Sequence, residues 1–514
     1  MKTPVFVFNS LNVKRGGLTK AVLKRANLLV NYCPEVVFFT LAYQQDHLNI
    51  IEKLYESGQM DRRIKVRNFY TDMLGVEHVK EPTVMPVELE GYSHILDKKS
   101  NLPAYRYYNN GLYEQYRRFQ EDGSLKLIDY MDESRTRQRR EEYLRNNRLI
   151  RVSHMDITNN KAKLHRYYHT DGTCKIAVWL DEPDVEGRTI LFDGEAKEFA
   201  KIDHAYAYWI EKAVAAYESP VLLSDSRKTD ETVLQVKGDF EKIGVAHSSH
   251  IAAPYKDDSD TKATWHTFFD GMDDFSKVVV LTEHQKKDVI SRYHIDSERL
   301  QVIPHAAPEN VQASYENADP HLAVALSRYS EEKAVDEGIR AFRHVVDKLP
   351  DARYLIYGFG PMESQLKKLI NELGLQDNVK LMGFTDNPSA VYQSAACSIL
   401  TSNYEGFGMV LTESMAAGTP AISYDIKYGP REIIRDGVDG FIVEPGNQKL
   451  LAEKILSIME DQQLRQSMAE RAVEISDRYS EEKYNQSWIA LFKNQSVQAN
   501  NKKKSLFGFM RKDN

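Results

Sequence analysis

Short apolar runs alternate with amphipathic segments through the second half of the chain. Runs of strand length bounded by turn residues predict buried strands; they are LAVALSR, ARYLIYGFG, NVKLMGF, CSILTS, TPAISYD and GFIVEP. Between them, EKAVDEGIRAFRHVVDKL and PMESQLKKLINELGL carry apolar residues three to four positions apart, which predicts helices. Because strand–helix alternation is typical of a doubly wound parallel sheet, we predict an α/β Rossmann-like domain over residues 313–481.

The first half shows the same pattern with an interruption. PVFVF, LTKAVLKRANLLV and VVFFTLAY predict a strand, a helix and a strand. The pattern resumes with SPVLLSD, GDFEKIGVAHSSH, KVVVLTEHQKKDVI and LQVIPH. We therefore predict a second Rossmann-like domain built from residues 1–85 and 205–312. A helix at about 482–500 is expected to pack back on this domain.

The interrupting segment, residues 86–204, is rich in Tyr and Arg and contains Asp-Gly turns, which predicts an inserted antiparallel sheet. RRFQEDGSLKLIDYMDE at 117–133 is similar to RYYHTDGTCKIAVWLDE at 166–182. Two copies are too few for a solenoid, so they predict duplicated hairpins. The insertion is either a β-rich elaboration of the first domain or an oligomerisation or acceptor-binding module.

Composition narrows the class of protein. A chain of 514 residues is too long for one core, and 42% hydrophobic with 28% charged residues is typical of a globular protein. The net charge of −7 argues against a nucleic-acid binder. An anionic binding partner would therefore need a local basic groove on the surface of the protein.

The cysteines and the two termini of the chain indicate its cellular compartment. The three cysteines, at 33, 174 and 397, form neither a disulfide framework nor a metal cluster, which favours a reducing compartment. The N-terminus lacks a signal-peptide pattern, and no apolar run approaches the roughly 20 residues of a membrane span. We expect a cytoplasmic protein. The C-terminal NNKKKSLFGFMRKDN predicts either peripheral contact with the inner membrane face or a frayed terminus.

The most informative segment is SNYEGFGMVLTESMAAGTPAISYD. Glu405 ends a strand, Gly406 and Gly408 follow, and a helix begins. A helix N-terminus presents free N–H groups and a positive dipole end, which suits a diphosphate. Glu405 would then reach sugar hydroxyls and Glu413 the ribose. A pair of glutamates eight residues apart is otherwise common on a solvated helix face.

Two basic residues, Arg328 and Lys333, lie in the connection between a predicted strand and the helix that follows it, in LSRYSEEKAVDEGIR. Ligands bind at this carboxyl edge of a parallel sheet. A departing diphosphate must be stabilised by a metal or by fixed cations, and Arg and Lys supply such charge directly. The alternative interpretation is an exposed ion pair with Glu331 or Glu332.

The first domain offers a glycine pair and two histidines. Gly16 and Gly17, between a strand and a helix, let the backbone approach a ligand, although a tight turn explains them equally well. They do not form a G-x-G-x-x-G fingerprint, so a dinucleotide enzyme is poorly supported. His247 and His250 follow a strand and are candidates for contact with a donor sugar or an acceptor hydroxyl, or are structural.

Acidic clusters invite a metal interpretation that the sequence does not favour. Asp257, Asp258 and Asp260, and likewise Asp273 and Asp274, lie in polar loops without histidine partners. We therefore predict no metal site.

In this order, the motifs resemble glycosyltransferase family 4, whose members are retaining enzymes of the GT-B fold, with two Rossmann-like domains facing a cleft. The pattern continues with AGTP at 417–420 and DGF at 439–441. LNVKRGGLT near the start, DIKYGP at 425–430 and the β insertion are similar to the poly(polyol-phosphate) α-glycosyltransferases of wall teichoic acid synthesis.

The resemblance implies metal-independent, retaining transfer of glucose or GlcNAc from a UDP-sugar to an anionic polyol-phosphate polymer, in which the leaving phosphate takes the acceptor proton. It assigns catalysis to Arg328, Lys333, Glu405 and His250. It assigns donor binding to Gly16, Gly17, Phe384, Thr385, Gly406, Phe407, Gly408, Met409 and Glu413. Of these, the backbone at Phe384 and Thr385 would meet the uracil.

The resemblance leaves the acceptor and the assembly open. Related enzymes modify Ser/Thr of serine-rich adhesins, and some GT-B relatives are non-catalytic partner subunits. A non-catalytic partner should have lost the diphosphate cations or the sugar-binding Glu, which are present here. In relatives the inserted sheet is a trimerisation hub, which implies a homo-oligomer, and no motif distinguishes glycerol from ribitol phosphate.

Overall fold

The computed structural model describes residues 1–13, 16–182, 185–309 and 318–493. These form two compact units, Met1–Lys242 (unit 1) and Ile243–Lys493 (unit 2). The predicted domain limits differ from this division and stay a prediction. No helix in the described residues is long and apolar enough to cross a membrane. The basic C-terminal stretch lies outside the described residues.

Unit 1 contains a small Rossmann-like part and the inserted sheet. In chain order its elements are β1 (Thr3–Phe8), α1 (Gly17–Leu29), β2 (Val37–Thr40), α2 (His47–Glu56), β3 (Lys65–Asn68), α3 (Phe69–Leu74), β4 (Ser93–Leu96), β5 (Ala104–Asn109), β6 (Leu112–Phe119), β7 (Leu125–Met131), β8 (Arg137–Tyr143), β9 (Leu149–Asp156), β10 (Lys161–Tyr168), β11 (Cys174–Glu182), β12 (Val185–Asp193), β13 (Glu195–Phe199), α4 (Ile202–Val214), β14 (Pro220–Ser224) and α5 (Asp230–Gln235). Strands β14, β1, β2 and β3 pair in parallel in that order. β1 and β2 are buried throughout, as strands covered on both faces require.

The insertion is a ten-stranded antiparallel meander in which β4 to β13 pair in chain order. The similar segments are the hairpins β6–β7 and β10–β11, and their turns close in the same way. Asp122 Oδ1 accepts from the Ser124 amide at 2.9 Å, and Asp171 Oδ1 accepts from the Thr173 amide at 2.8 Å. The predicted antiparallel sheet with duplicated hairpins is therefore confirmed.

Unit 2 holds the remaining elements. They are β15 (Glu241–Val245), α6 (His266–Asp270), β16 (Lys277–Val280), α7 (Glu283–Tyr293), β17 (Leu300–Val302), β18 (Asp319–Leu326), α8 (Val335–Val346), β19 (Arg353–Tyr357), α9 (Glu363–Glu372), β20 (Val379–Gly383), α10 (Pro388–Gln393), β21 (Ala395–Leu400), α11 (Met409–Ala416), β22 (Ala421–Tyr424), α12 (Pro430–Ile433), β23 (Gly440–Val443), α13 (Gln448–Glu460), α14 (Gln462–Ala472), α15 (Ile475–Arg478) and α16 (Glu481–Phe492). β15, the strand in which the unit boundary falls, pairs in parallel with β16, and β16 with β17. A six-stranded parallel sheet has the order β20-β19-β18-β21-β22-β23.

The predicted periodicity of α8 is the reason this helix packs where it does. Ile339, Phe342, Val345 and Val346 recur at helical spacing and are buried in the core of the six-stranded sheet. The strand–helix alternation predicted for this region is thereby confirmed. Because the strands and helices supply the apolar core, the connections between them can contain polar residues.

An ion pair on the inner side of the inserted sheet is predicted to stabilise unit 1. Arg151 Nε lies 2.7 Å from Glu142 Oε2, with side chains 19% and 9% exposed, and the guanidinium stacks 4.3 Å from the centre of the Tyr43 ring. Arg151→Met should lower the free energy of unfolding by about 3 kcal/mol, because it leaves a carboxylate in a desolvated site without its cation. Thermal or urea unfolding of the whole chain measures this.

The matched control is Arg62→Met. Arg62 also pairs with a carboxylate, Glu52, and also stacks on a tyrosine, Tyr55, but its side chain is 62% exposed. This variant should cost at most about 1 kcal/mol. Equal losses in the two variants would contradict the proposed role of burial.

Candidate active site

The strand order of the six-stranded sheet creates the site. Chain order reverses between β18 and β21, so the connections that follow these two strands leave the carboxyl edge in opposite directions and flank a crevice. The β18 connection, residues 327–334, carries Arg328 and Lys333. The β21 connection, residues 401–408, carries Glu405. The topology thus explains why residues more than 70 positions apart meet.

Lys333 and Glu405 are in direct contact. Lys333 Nζ lies 2.6 Å from Glu405 Oε1, and Ser402 Oγ donates to the same oxygen at 2.8 Å. The Lys333 and Glu405 side chains are only 18% and 12% exposed. A charge-assisted pair shielded in this way holds both groups in fixed positions.

Hydrogen bonds between the two connections maintain this contact. Thr401 Oγ1 donates to the Ala334 carbonyl at 2.9 Å, and the Asn403 amide donates to the Glu332 carbonyl at 2.9 Å. The 401–408 connection is also paired with the segment beyond β22, because the Glu405 amide donates to the Lys427 carbonyl at 2.9 Å. The position of the carboxylate is therefore set by backbone as well as side-chain contacts.

Arg328 is placed differently from Lys333. Its Nη2 lies 2.7 Å from Glu332 Oε1, and its side chain is 70% exposed. This is the exposed ion pair that the sequence allowed as an alternative. Because exposed pairs contribute little free energy, the guanidinium can change partner at small cost.

The start of α11 follows directly after Glu405. Gly408 has a φ of 94°, in the left-handed region that favours glycine, and no side chain among the described residues caps the helix. The N–H groups of the first turn, beginning at Met409, therefore face the end of the crevice with the positive end of the helix dipole. Glu413 lies one turn further along and is half-buried.

Gly406 packs against the backbone of the segment after β15. A Cβ at this position would lie 2.1 Å from the His247 carbonyl oxygen and 2.9 Å from Ser248 Cα. Only glycine permits this approach. The 401–408 connection therefore lies directly against the segment that contains His250.

His250 is fully buried, whereas the resemblance implies that it lines a pocket. Its ring lies 5.1 Å from that of Phe269 and stacks at 6.0 Å on that of Tyr428, and neither ring nitrogen has a hydrogen-bond partner among the described residues. Burial, reinforced by nearby positive charges, lowers the pKa of His250 to about 3. The imidazole is neutral at physiological pH and suited to hydrogen bonding rather than to carrying charge. His247 stacks on His305 at 5.7 Å.

The remaining predicted donor-binding residues differ in how far their side chains are exposed to solvent. Phe384, after β20, is 68% exposed and lies 6.5 Å from the exposed ring of Phe359, with Thr385 beside it. The Phe407 ring is buried in a hydrophobic cluster, 5.4 Å from that of Tyr479, so Phe407 could meet a ligand only through its backbone.

The glycine pair belongs to unit 1. Gly16 is the N-cap of α1 and Gly17 its first residue. A Cβ on Gly16 would meet nothing within 4 Å, so packing does not explain this glycine. Its predicted phosphate contact stays a prediction.

The expectation that Asp257 has no histidine partner is wrong. α7 places His284 and Asp288 beside it, and the ligand atoms of the three residues lie within 4.8 Å of one another. Such a contact between separate elements leaves no spacing signal in the sequence. Lys427 Nζ pairs with both carboxylates at 2.5 Å, so an ammonium already offsets half of their charge and opposes a divalent cation. Asp273 pairs with Arg299.

A cavity of about 1290 Å³ in unit 2 adjoins the site without containing it. Ala334, Ser402 and Asn403 contribute to its wall, but none of the predicted site residues does. Carboxylates outnumber cations in its lining: Asp257, Asp258, Glu331, Asp336, Glu337, Glu372 and Asp425 against Lys256, Arg340, Lys427 and Arg431. The cavity is therefore poorly suited to an anionic ligand.

Sequence reasoning missed several residues that hold the site together. Lys427 and Tyr428, which both contact Asp288, lie in the DIKYGP segment that the resemblance singled out, but no role followed from it. Lys262 and Tyr404 contact each other across 142 positions, and neither belongs to a motif.

Two family models match the chain. Glycosyl transferase 1 domain A matches residues 5–192, and Glycosyl transferases group 1 matches residues 307–474. The second match contains Arg328, Lys333, Glu405 and Glu413.

Two curated relatives span nearly the whole chain. The poly(glycerol-phosphate) alpha-glucosyltransferase of Bacillus subtilis (strain 168) is 29% identical over 512 residues, 94% of this chain and 74% of the relative. The poly(ribitol-phosphate) alpha-N-acetylglucosaminyltransferase of Staphylococcus aureus (strain COL) is 26% identical over 524 residues, 96% of this chain and 100% of the relative.

Among solved structures, a mutant of S. aureus TarM, in complex with fondaparinux, alpha-GlcNAc-glycerol and UDP, superposes with a TM-score of 0.82 at 23% identity. The match covers 96% of this chain and 100% of that protein. The two proteins share a fold.

Gly406→Ala tests whether the close approach of the two segments is required. The added methyl has no space beside the His247 carbonyl, so the backbone must move, and we expect a loss of about 2–3 kcal/mol in stability. Gly16→Ala is the control, because its methyl meets nothing and its φ of −72° suits alanine, so stability should change by less than about 1 kcal/mol. Equal unfolding midpoints for both variants would refute the steric argument.

Proposed function

The chain belongs to the glycosyltransferases of the GT-B fold, and we propose that it transfers glucose or GlcNAc from a UDP-sugar to polyol-phosphate repeats of wall teichoic acid. Two supports are independent. The relatives that span the chain are named for transfer of these sugars to polyol phosphates. The observation that carries the proposal is the Lys333–Glu405 pair at the switch point, beside the uncapped start of α11.

We assign the donor diphosphate to Arg328, Lys333 and the first turn of α11. Each cation is balanced by a carboxylate, Arg328 by Glu332 and Lys333 by Glu405. The exposed Arg328 can exchange Glu332 for phosphate at little cost. Lys333 is already in place, and its contact holds the Glu405 carboxylate in a fixed position from which it can accept from sugar hydroxyls.

The proposed reaction retains configuration. The bond between the sugar's anomeric carbon and the β-phosphate oxygen breaks, and its electron pair stays on the phosphate. The acceptor hydroxyl oxygen bonds to the same face of the carbon, and its proton passes to the leaving phosphate oxygen. Glu405 is engaged by Lys333 and Ser402, so it is assigned to binding rather than to nucleophilic attack. The resemblance assigns the neutral His250 to hydrogen bonding with a hydroxyl of the donor sugar or acceptor, which its fully buried ring could reach only if the side chains around it moved aside.

We expect no divalent metal in this reaction, because two side-chain cations and a helix N-terminus supply the charge that the leaving diphosphate needs. Glu413 is assigned to the ribose, the exposed Phe384 region to uracil, and Gly16 and Gly17 to phosphate. These assignments follow the resemblance.

For the assembly, we infer a homo-oligomer, a trimer in the simplest case, formed through the inserted sheet. Both edge strands of this sheet, β4 and β13, are exposed, and Ile95 and Leu96 on β4 are 55% and 46% exposed. Exposed apolar edges invite pairing with another strand. We infer that the enzyme acts in the cytoplasm, with peripheral contact at the inner face of the cell membrane.

Arg328→Ala tests the charge role. Loss of one transition-state cation should lower kcat about 10²- to 10³-fold, with Arg328→Lys recovering part of the rate. Arg343→Ala is the matched control, since Arg343 on α8 makes the same i, i+4 pair at 2.7 Å, with Asp347 at the end of that helix, but lies away from the site connections. Release of UDP is the measurement. Near wild-type turnover by Arg328→Ala would refute the assignment.

A screen of donors and acceptors tests the activity itself. Purified protein in EDTA is assayed with UDP-glucose and UDP-GlcNAc against poly(glycerol phosphate), poly(ribitol phosphate) and a Ser/Thr-rich peptide. We expect transfer to a polyol-phosphate polymer, with a KM for the polymer that rises with salt because the attraction is screened. Transfer to the peptide alone would assign the adhesin-modifying activity, and no UDP release with any pair would assign a non-catalytic partner.

A further inference from the structure

Lys262 occupies a position between the two segments that carry His250 and Glu405. Residues 250–262 form a hairpin, closed by an antiparallel bridge between Ile251 and Thr261. At its end the Lys262 amide donates to the His250 carbonyl at 2.8 Å, and Lys262 Nζ donates to the Ser249 carbonyl at 2.9 Å. Backbone and side chain of one residue thus both hold the His250 segment.

The same ammonium reaches the Glu405 connection. Lys262 Nζ lies 3.2 Å from the centre of the Tyr404 ring, and the Tyr255 ring packs beside that of Tyr404 with centroids 4.9 Å apart. Tyr404 immediately precedes Glu405, whose backbone is fixed on its other side by Lys427. A cation over a desolvated aromatic face is a strong contact for its size.

We propose that Lys262 is a positioning residue, which holds the Glu405 connection against the His250 segment through its contact with Tyr404 in the arrangement that transfer requires. The inference rests on the proposed function, because the arrangement it fixes is that of the assigned sugar-binding groups. Lys262 contacts neither Glu405 nor the His250 ring, so it acts on them through Tyr404 and the backbone.

The charge of Lys262 is retained at a cost. Burial lowers its pKa from the ordinary lysine value to about 8, an effect that Glu332 opposes. The other groups facing it are Tyr255, Tyr404 and the neutral His250. Because the folded pKa lies below the unfolded one, the ammonium destabilises the fold below about pH 8, and this cost disappears in a neutral variant.

Lys262→Met should therefore separate activity from stability. We expect kcat to fall about 10- to 30-fold, the KM for the UDP-sugar to change less than about threefold, and the melting temperature at pH 7 to stay the same or rise. Lys262→Arg keeps the cation and should recover activity to within about threefold of the wild type. The matched control is Lys256→Met, an exposed lysine on the same hairpin, which should have wild-type kcat.

The pH profile gives a second readout. Wild-type kcat should fall above about pH 8, as the Lys262 cation is lost, whereas Lys262→Arg should hold its rate over this range and Lys262→Met should be uniformly slow. Wild-type-like kcat in Lys262→Met across the pH range would overturn the proposal, as would an equal loss in Lys256→Met.

If Lys262→Met does not fold, a comparison of Tyr404→Leu with Tyr404→Phe tests the same contact from the side of the aromatic ring. Leu should lower kcat and Phe, which keeps the ring, should not; equal rates would overturn it.

A measurement that needs no turnover keeps this inference separate from the proposed function. Amine acetylation followed by mass spectrometry across pH reports each lysine. We expect the acetylation rate of Lys262 to reach half of its maximum near pH 8, clearly below the ordinary lysine pKa. An inactive wild type would overturn the proposed function, whereas a half-maximal rate for Lys262 at the ordinary lysine pKa would overturn the inference about Lys262.

Discussion

The contact between Lys333 and Glu405 joins the two connections that leave the switch point of the six-stranded sheet, and the geometry around it depends on that contact. Its distance of 2.6 Å requires the two connections to share hydrogen bonds, as Thr401 and Asn403 provide. It also requires glycine at position 406, so that the β21 connection can lie against the His247 carbonyl. The backbone contacts therefore set the positions of the two connections, and the ion pair adds to them.

Charge balance explains how an acidic chain can handle anionic substrates. The net charge is −7, yet each cation at the predicted site faces a carboxylate that a phosphate could replace or share. Arg328 is far more exposed than Lys333, so its side chain can change partner at a smaller cost in free energy. Lys427 differs from both, because it is buried and two carboxylates, those of Asp257 and Asp288, hold it in a structural cluster.

The sequence predicted what periodicity and turn chemistry control. Buried apolar runs located the parallel strands, helical spacing located α8 and α9, and the Asp-Gly turns located the hairpins of the insertion. The placement of Arg328, Lys333 and Glu405 on strand connections followed from the same pattern. Their roles in catalysis stay predictions.

Contacts between distant segments could not be read in this way. The fully buried ring of His250, the partner of Asp257 on α7 and the stacking of Lys262 on Tyr404 depend on how loops fold over one another. No local spacing encodes such contacts. The exposed pairing of Arg328 with Glu332 was an open alternative, because a salt bridge four residues apart and a ligand-binding cation have the same local sequence.

The regular construction of the inserted sheet has a consequence for how such an enzyme can diverge. The hairpins β6–β7 and β10–β11 close with the same kind of short turn, and all ten strands pair with their neighbours in chain order. Gain or loss of a whole hairpin adds or removes two strands and leaves the chain running in its original direction where it re-enters α4. A change by one strand would reverse that direction. Lineages can therefore lengthen or shorten this platform in steps of two strands while the sugar-transfer machinery stays untouched.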